Sequence, residues 1–331
     1  MKFSLIICTY MRPQPLLQLL QSVNVQTLHP NEILIVDGST NDETQQILKK
    51  NDFQDLHYYK VKDHERGLTK QRNFGIQKAN LQSEVICFLD DDTILQKDYF
   101  EKLIDTYKHF PEALGVGGYI KNQVVWKKVD LKSSSKKFYY DGWERTEPFR
   151  FRIRSFFGLQ PDTPPCFLPN FSHGRSVGFL PPSGKIYEVE QFMGGVSSFK
   201  REVFNTLSFS HYFEGYGLYE DGDFTLRLSK KGKLYVNTAA QLEHHHDDSG
   251  RPNKFKYGKM VARNGWYVWR VKHPKPGLKA RLKWNLTFIL LMKLRFVNVL
   301  TTKKRYESFT EAMGRLAGWL SLLVNKPKVV T

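Results

Sequence analysis

Phe88-Leu89-Asp90-Asp91-Asp92-Thr93 closes an apolar run that begins at Val85. The run reads as a buried strand, and three carboxylates follow where that strand must end. Three like charges in a row repel one another and cannot lie in a core without partners. A divalent cation relieves that cost: Mg²⁺ and Mn²⁺ prefer carboxylate oxygens, and Mg²⁺ is often held by one or two carboxylates plus substrate phosphates. The stretch points to a metal and phosphate site at the C-terminal end of a strand, where open α/β sheets place ligands. A solvated acidic turn is the competing reading, and the flanking sequence decides between them.

Upstream, Phe3 to Cys8 reads as a strand that exits into Thr9-Tyr10-Met11-Arg12-Pro13. Leu16, Leu17, Leu19, Leu20 and Val23 then recur at helix spacing. Glu32 to Asp37 is a second strand with the exit turn Gly38-Ser39-Thr40-Asn41-Asp42, and Glu43 to Lys50 is a helix. Leu56 to Val61 is a short third strand, and Leu68 to Ala79 a helix leading to the strand at Val85. Strands alternating with helices argue for a mostly parallel, doubly wound α/β sheet, with right-handed crossovers.

Downstream, Asp98 to Tyr107 reads as a helix and Leu114 to Ile120 as a strand. Between about 121 and 190 the pattern dissolves into Pro, aromatic and basic residues, with Pro164-Pro165 and Pro181-Pro182 as breakers. A loop this long is usually functional, and it is expected as an insertion covering part of the site. Regular structure resumes at Glu188–Phe199, in a helix around Asp221–Lys231 and in a strand over Lys233–His246. Residues 1–250 thus form one α/β domain.

Residues 251–331 form a basic, amphipathic helical extension, with helices over Leu278–Val299 and Ser308–Leu323. The apolar core of the first is far shorter than the ~20 residues of a bilayer span. Lys279, Arg281, Lys283, Lys293 and Arg295 flank it, so it is expected to lie in an anionic membrane interface; a helix packed on its own domain is the alternative.

Of the 331 residues, 40% are hydrophobic and 25% charged, which excludes a disordered chain. Met1-Lys2 leads straight into a core strand, so no early segment reads as a signal peptide. Three scattered cysteines, Cys8, Cys87 and Cys166, favour reduced thiols in the cytoplasm over a disulfide framework or a zinc site. A formal charge of +17 implies an anionic partner: nucleic acid, acidic lipid or a phosphorylated substrate. No recognisable nucleic-acid module is present, so no specific nucleic acid is expected.

Four motifs line up in order: Ser4 to Arg12, Ile35 to Asp42, Gly67-Leu68-Thr69-Lys70-Gln71-Arg72-Asn73-Phe74-Gly75, and Phe88 to Asp92. Two more follow: Met193-Gly194-Gly195-Val196-Ser197-Ser198-Phe199-Lys200-Arg201, and Tyr219-Glu220-Asp221-Gly222-Asp223 with Arg227 and Gly232. Each motif alone is weak, but the ordered set closely resembles family 2 glycosyltransferases, the inverting enzymes of the GT-A fold, over about residues 1–250. The resemblance implies a nucleotide-diphosphate sugar donor, Mn²⁺ or Mg²⁺, and transfer with inversion at the anomeric carbon.

The resemblance also implies roles. Asp37 is expected to accept a hydrogen bond from the nucleotide base, with Thr9, Tyr10 and Arg12 in the loop lining that pocket. Arg72, near a helix start, suits phosphate. Asp90 is expected on the ribose and Asp92 on the metal, with Asp91 among the substrate-binding residues. Thr93 stands where relatives often carry a further acid, so no ligand is placed there. Asp221 is the candidate general base for the acceptor hydroxyl, with Glu220 beside it. A late histidine completes the metal site in many such enzymes; His244 is the best match and His246 the alternative. Gly194 and Gly195 would allow close backbone approach to a sugar, and Arg251 would close over the diphosphate.

The expected enzyme extends a saccharide or polyprenyl-linked acceptor for cell-surface polysaccharide, peripheral on the inner face of the membrane. A sugar-phosphate nucleotidyltransferase is the rival enzyme, disfavoured because Thr9–Pro13 stands where a Gly-rich phosphate loop is usual. A basic nucleic-acid-binding protein is the rival from another class.

Overall fold

A computed structural model describes residues 1–130, 134, 136–245 and 252–330. The chain divides into two compact units, Met1–Val125 with Leu180–Gly250, and Trp126–Phe179 with Arg251–Thr331. The division differs from the single boundary near 250 drawn from composition, because most of the segment expected as an insertion groups with the C-terminal helices.

In the first unit the elements run β1 (Phe3–Thr9), α1 (Pro13–Asn24), β2 (Glu32–Asp37), α2 (Glu43–Lys49), β3 (Leu56–Lys60), α3 (Leu68–Lys78) and β4 (Val85–Asp90). They continue with β5 (Thr93–Leu95), α4 (Tyr99–His109) and β6 (Ala113–Ile120). The second unit interposes β7 (Lys127–Lys128), β8 (Lys137–Tyr140), β9 (Trp143–Thr146) and α5 (Phe149–Phe156). The first then resumes with β10 (Ile186–Val189), β11 (Val196–Lys200), α6 (Glu220–Ser229) and β12 (Lys233–His244). The helices α7 (Lys254–Lys272), α8 (Leu278–Thr301) and α9 (Arg305–Val324) complete the second unit.

One nine-stranded sheet carries the first unit, in the order β10-β12-β6-β11-β4-β1-β2-β3, with β5 against β12. β1, β2, β3 and β4 pair in parallel, as does β12 with β6. β11 lies antiparallel between β4 and β6, and β10 and β5 are antiparallel to β12. The sheet is therefore mostly parallel on the N-terminal side and mixed beyond β4. Apolar runs make these strands because both faces are covered. Leu5, Ile7, Ile35 and Leu89 point into a core with Leu16, Leu19 and Leu20 of α1 and Phe100, Leu103 and Ile104 of α4. Ile6 and Val36 point the other way, against α3. A Cβ at Gly75 of α3 would come within 2.6 Å of Ile6 Cγ2, so glycine sets how closely that helix lies on the sheet.

The second unit contains more regular structure than its sequence suggested. Its three strands form a sheet in the order β7-β9-β8. α7 is a 19-residue helix in a stretch where composition alone showed only basic and aromatic residues. Glycines replace a leucine stripe where α7 meets α9: a Cβ at Gly258 would stand 2.1 Å from Glu311 O, and one at Gly314 2.1 Å from Phe255 O. Trp269, Trp284 and Phe288 stack in succession, with centroids 5.5 and 5.6 Å apart, and join α7 to α8.

α8 corrects the sequence reading in one respect. Counting only its uninterrupted apolar run put it well short of a bilayer span. The continuous 24-residue helix is, among the described residues, the one helix long and apolar enough to cross a membrane by length and composition.

Gly314→Val is expected to destabilise the second unit by about 1–3 kcal/mol through overpacking. Gly277→Ala, where an added Cβ meets nothing within 4 Å, is the control. Urea unfolding checks this, and equal midpoints for the two variants would contradict the close α7–α9 packing.

Candidate active site

Parallel pairing sets Thr9 beside Asp37 and Cys8 beside Asp90. The C-terminal ends of β1, β2 and β4 therefore share one edge. β12 delivers His244 to that edge, opposite Thr93 of β5. One ligand atom from each of Asp90, Asp92 and His244 can be chosen so that all lie within 4.8 Å of one another. His244 Nε2 lies 2.7 Å from Asp92 Oδ1. Two carboxylates and an imidazole at this spacing are a donor set that Mn²⁺ accepts, and Mg²⁺ through the carboxylates, so the residues present fit a divalent cation.

Asp91 does not join that trio. It turns inward, 4% exposed, and accepts from Thr9 Oγ1 at 2.6 Å and Arg12 Nη1 at 3.1 Å. Arg12 also reaches Asp92 Oδ2 at 3.3 Å. Its guanidinium thus meets the acids, a placement that membership of a base-pocket loop did not anticipate. Burial pushes Asp91 up to about 7, against the pull of Thr9 and Arg12 and with Asp92 adding to the rise.

Beneath the acids lies a second buried pair. Arg72 of α3 is 2% exposed and donates from Nη1 to Glu220 Oε1, while Nη2 stands 3.7 Å from Asp90 Oδ1. The rings of Phe88 and Phe209 lie 5.6 and 5.2 Å from the guanidinium. Burial works against the Arg72 charge, but Glu220 and Asp90 hold it on. Burial lifts Glu220 to about 8, although Arg72 opposes the rise. The charge of Arg72, expected to meet phosphate, ties α3 to the start of α6 and to Asp90.

Asp221, at the first turn of α6, accepts from Gly222 N at 2.7 Å and Gly194 N at 3.4 Å. Burial raises its pKa, and those two amides pull it back. Asp223, two residues on, pairs with Arg227 at 2.7 Å and anchors the helix. Tyr219, just before it, holds φ +70°, and Met11 beside Arg12 holds φ +58°. Non-glycine residues in this region are strained, and such strain clusters at functional sites. Gly194 and Gly195 have a use apart from a sugar. A Cβ at Gly194 would collide with Glu220 and Arg72, and one at Gly195 would stand 2.0 Å from the Asp90 carboxylate.

Asp37 lies one strand away and is fully buried. Its Oδ1 accepts from Ser39 N at 2.7 Å and its Oδ2 from Tyr58 OH at 2.8 Å. Tyr10 is 40% exposed, with Arg66 5.9 Å from its ring. Three contributors escaped the sequence reading. Gln71 Nε2 donates to Thr9 O and Val36 O at 3.1 and 2.8 Å, joining the ends of β1 and β2. It stands inside the quoted Gly67–Gly75 motif, which was the available signal. Arg66 donates to Gly38 O at 2.6 Å, and Tyr58 sits on β3; neither carried a signal. Arg251 and His246 lie outside the described residues.

The model for glycosyl transferase family 2 matches residues 4–172. The chain belongs to glycosyl transferase family 2. Over 135 residues it is 30% identical to a glucosyl-dolichyl phosphate glucuronosyltransferase of Haloferax volcanii, covering 40% of this chain and 42% of that protein. Over 118 residues it is 26% identical to the glycosyltransferase GlyA of Streptococcus pneumoniae serotype 4, covering 36% of this chain and 17% of that one. The matches thus span less than half the length of these relatives. A crystal structure of GalNAc-T7 with UDP, GalNAc and Mn²⁺ superposes with TM-score 0.51 at 15% identity, over 86% of this chain and 54% of that one. That likeness supports the GT-A fold of this family 2 member.

Proton competition gives the site a pH signature. Burial opposes a charge on His244, yet its hydrogen bond to Asp92 and the fields of Asp90, Asp92 and Asp91 raise its pKa. A ligating histidine must give up that proton. Protons therefore leave as pH rises, and Mn²⁺ affinity is expected to be about tenfold or more weaker at pH 5.5 than at pH 7.5. Calorimetric titration at both values checks it; equal affinities would contradict a metal site containing His244.

Proposed function

We propose that this family 2 chain transfers a sugar, with inversion, from a nucleotide-diphosphate donor to a saccharide carried on a polyprenyl-type lipid. The observation that carries the reading is the arrangement at one sheet edge. Asp90, Asp92 and His244 are spaced for a cation, and Asp221, at a helix start, lies within electrostatic reach of Asp90. The family assignment supports the reaction class, and the named dolichyl-phosphate relative supports a lipid-linked acceptor.

Asp90, Asp92 and His244 would hold Mn²⁺ or Mg²⁺, and the bound ion would neutralise charge developing on the leaving diphosphate. The remaining work falls to the chain. Asp221 takes the proton of the acceptor hydroxyl as that oxygen attacks the anomeric carbon. The amides of Gly194 and Gly222 fix the carboxylate, and its raised pKa brings it nearer to working pH. Arg72 and Glu220 position Asp90 from below. Thr9 and Arg12 hold Asp91, which fixes the loop around the diphosphate. Asp37 and Tyr10 are assigned to the base, with Asp37 steadied by Ser39 and Tyr58.

The membrane part of the reading rests on α8. Leu278, Leu282, Leu286, Val297 and Leu300 are exposed at helical spacing along one side, while Trp284, Thr287 and Met292 are buried on the other. Centring this helix in a bilayer would immerse Lys293, at about 2.5–3.5 kcal/mol, whereas Arg295 is paired with Glu311 of α9 at 2.6 Å. A helix lying in the interface of the inner leaflet keeps Lys293 at the headgroups, which favours peripheral association. Extension of a cell-surface polysaccharide is the matching cellular role.

Asp221→Asn is expected to lower transfer at least about 10³-fold while leaving Mn²⁺-dependent binding of the nucleotide unchanged. Asp92→Ala is expected to abolish that metal dependence. A screen of nucleotide-sugars for thermal stabilisation, followed by turnover with the best donor, checks both. Full turnover in Asp221→Asn would contradict the assignment of the base.

A further inference from the structure

α5 is built inside out. Its buried side holds Phe151 and Arg154, which are 2% and 0% exposed. Its outer side carries Phe149 at 59% exposed, Phe156 at 83% and, just past the helix, Phe157 at 56%. A helix on a water-facing surface shows the reverse pattern. The inner side is held firmly. Arg154 donates from Nε to Leu159 O at 2.9 Å and from Nη1 to His173 O at 3.2 Å. The Phe151 ring lies 5.0 Å from that of Phe179. The outer aromatics therefore cannot turn inward without breaking the helix's attachment, and they stay presented to the surroundings.

Charge selects the partner. The exposed cations of residues 149–158 are Arg150 and Arg152, with no acid among those residues, and α8 contains three lysines and two arginines and no acid. Aromatic rings interleaved with guanidinium groups suit the headgroup layer of a bilayer, where an apolar body and a cation are both accommodated. α5 packs against α8 within the second unit, so the two helices are neighbours.

We propose that the outer side of α5, through Phe149, Phe156 and Phe157 with Arg150 and Arg152, inserts into the interface of an anionic bilayer as a second membrane contact beside α8. The inference rests on the membrane reading of α8, and the two can fail separately. Phe156 and Phe157 form an edge-on pair with ring centroids 5.1 Å apart at the end of the helix, which places them where a short helix enters a leaflet first.

The full chain with Phe156→Ser and Phe157→Ser is compared with the parent by co-sedimentation on vesicles of 70% phosphatidylcholine and 30% phosphatidylglycerol. Binding is expected to weaken about tenfold or more, and to recover with Phe156→Trp and Phe157→Trp. Mn²⁺-dependent thermal stabilisation is expected to stay unchanged, which shows that the variant folds. Parent binding is expected to be stronger on these vesicles than on pure phosphatidylcholine. Unchanged binding of the serine variant, with the parent bound, overturns the α5 contact and leaves α8 standing. A parent that binds neither vesicle overturns both. A serine variant that binds normally but dissociates from dimer to monomer would assign the aromatics to a second copy of the chain instead.

Discussion

Five carboxylates crowd one sheet edge, and their mutual repulsion is the constraint around which the first unit is arranged. Burial raises the proton affinity of Asp91, Glu220 and Asp221, and the field of Asp92 adds to the rise at Asp91 and that of Asp90 to the rise at Glu220 and Asp221. Burial multiplies that penalty. Three cationic or protonatable groups answer it from different directions. Arg12 meets Asp91 and Asp92 from the β1 loop, Arg72 meets Asp90 and Glu220 from α3, and His244 meets Asp92 from the end of β12. The parallel strands matter because they bring these sequence-distant groups to a common edge. The glycines matter because only a residue without a Cβ lets β11 begin against Asp90.

This arrangement separates two tasks. One set, Asp90, Asp92 and His244, keeps its ligand atoms turned toward one another. A supporting set, Arg72, Glu220, Thr9 and Asp91, is as closed to solvent as Asp92 itself and holds the first set in place. A site held from beneath in this way is preorganised, so less reorganisation remains when charge develops in the reaction. The αL backbone at Met11 and Tyr219 falls in the two loops that carry Arg12 and the Glu220-Asp221 pair.

Much of this was legible in the chain. β1, β2 and β4 were readable because strands covered on both faces are continuous apolar runs, and their exit residues Thr9, Asp37 and Asp90 followed directly. Asp92 and His244 were readable as a metal pair only through likeness to a family, which put Asp90 on the ribose, because nothing local links His244 to Asp92 across 152 positions; the grouping of Asp90 with them appears only in the structure. The Arg72–Glu220 pair spans 148 positions and was unreadable for the same reason. In the second unit the usual signals were inverted or missing. α7 meets α9 through Gly258 and Gly314 rather than leucines, and α5 hides an arginine while showing phenylalanines. Both patterns defeat periodicity rules that assume a water-facing exterior. The proposed membrane contact would account for the aromatic outer side of α5 and the exposed leucines of α8.

The central claim is that Asp90, Asp92 and His244 share one cation with a nucleoside diphosphate. Electron–nuclear double resonance of Mn²⁺ added to the full chain with UDP tests it directly. The expected spectrum shows a ¹⁴N coupling from one imidazole together with ³¹P couplings, and the nitrogen signal disappears in His244→Ala. A spectrum without nitrogen coupling, or one unchanged in His244→Ala, would contradict the account.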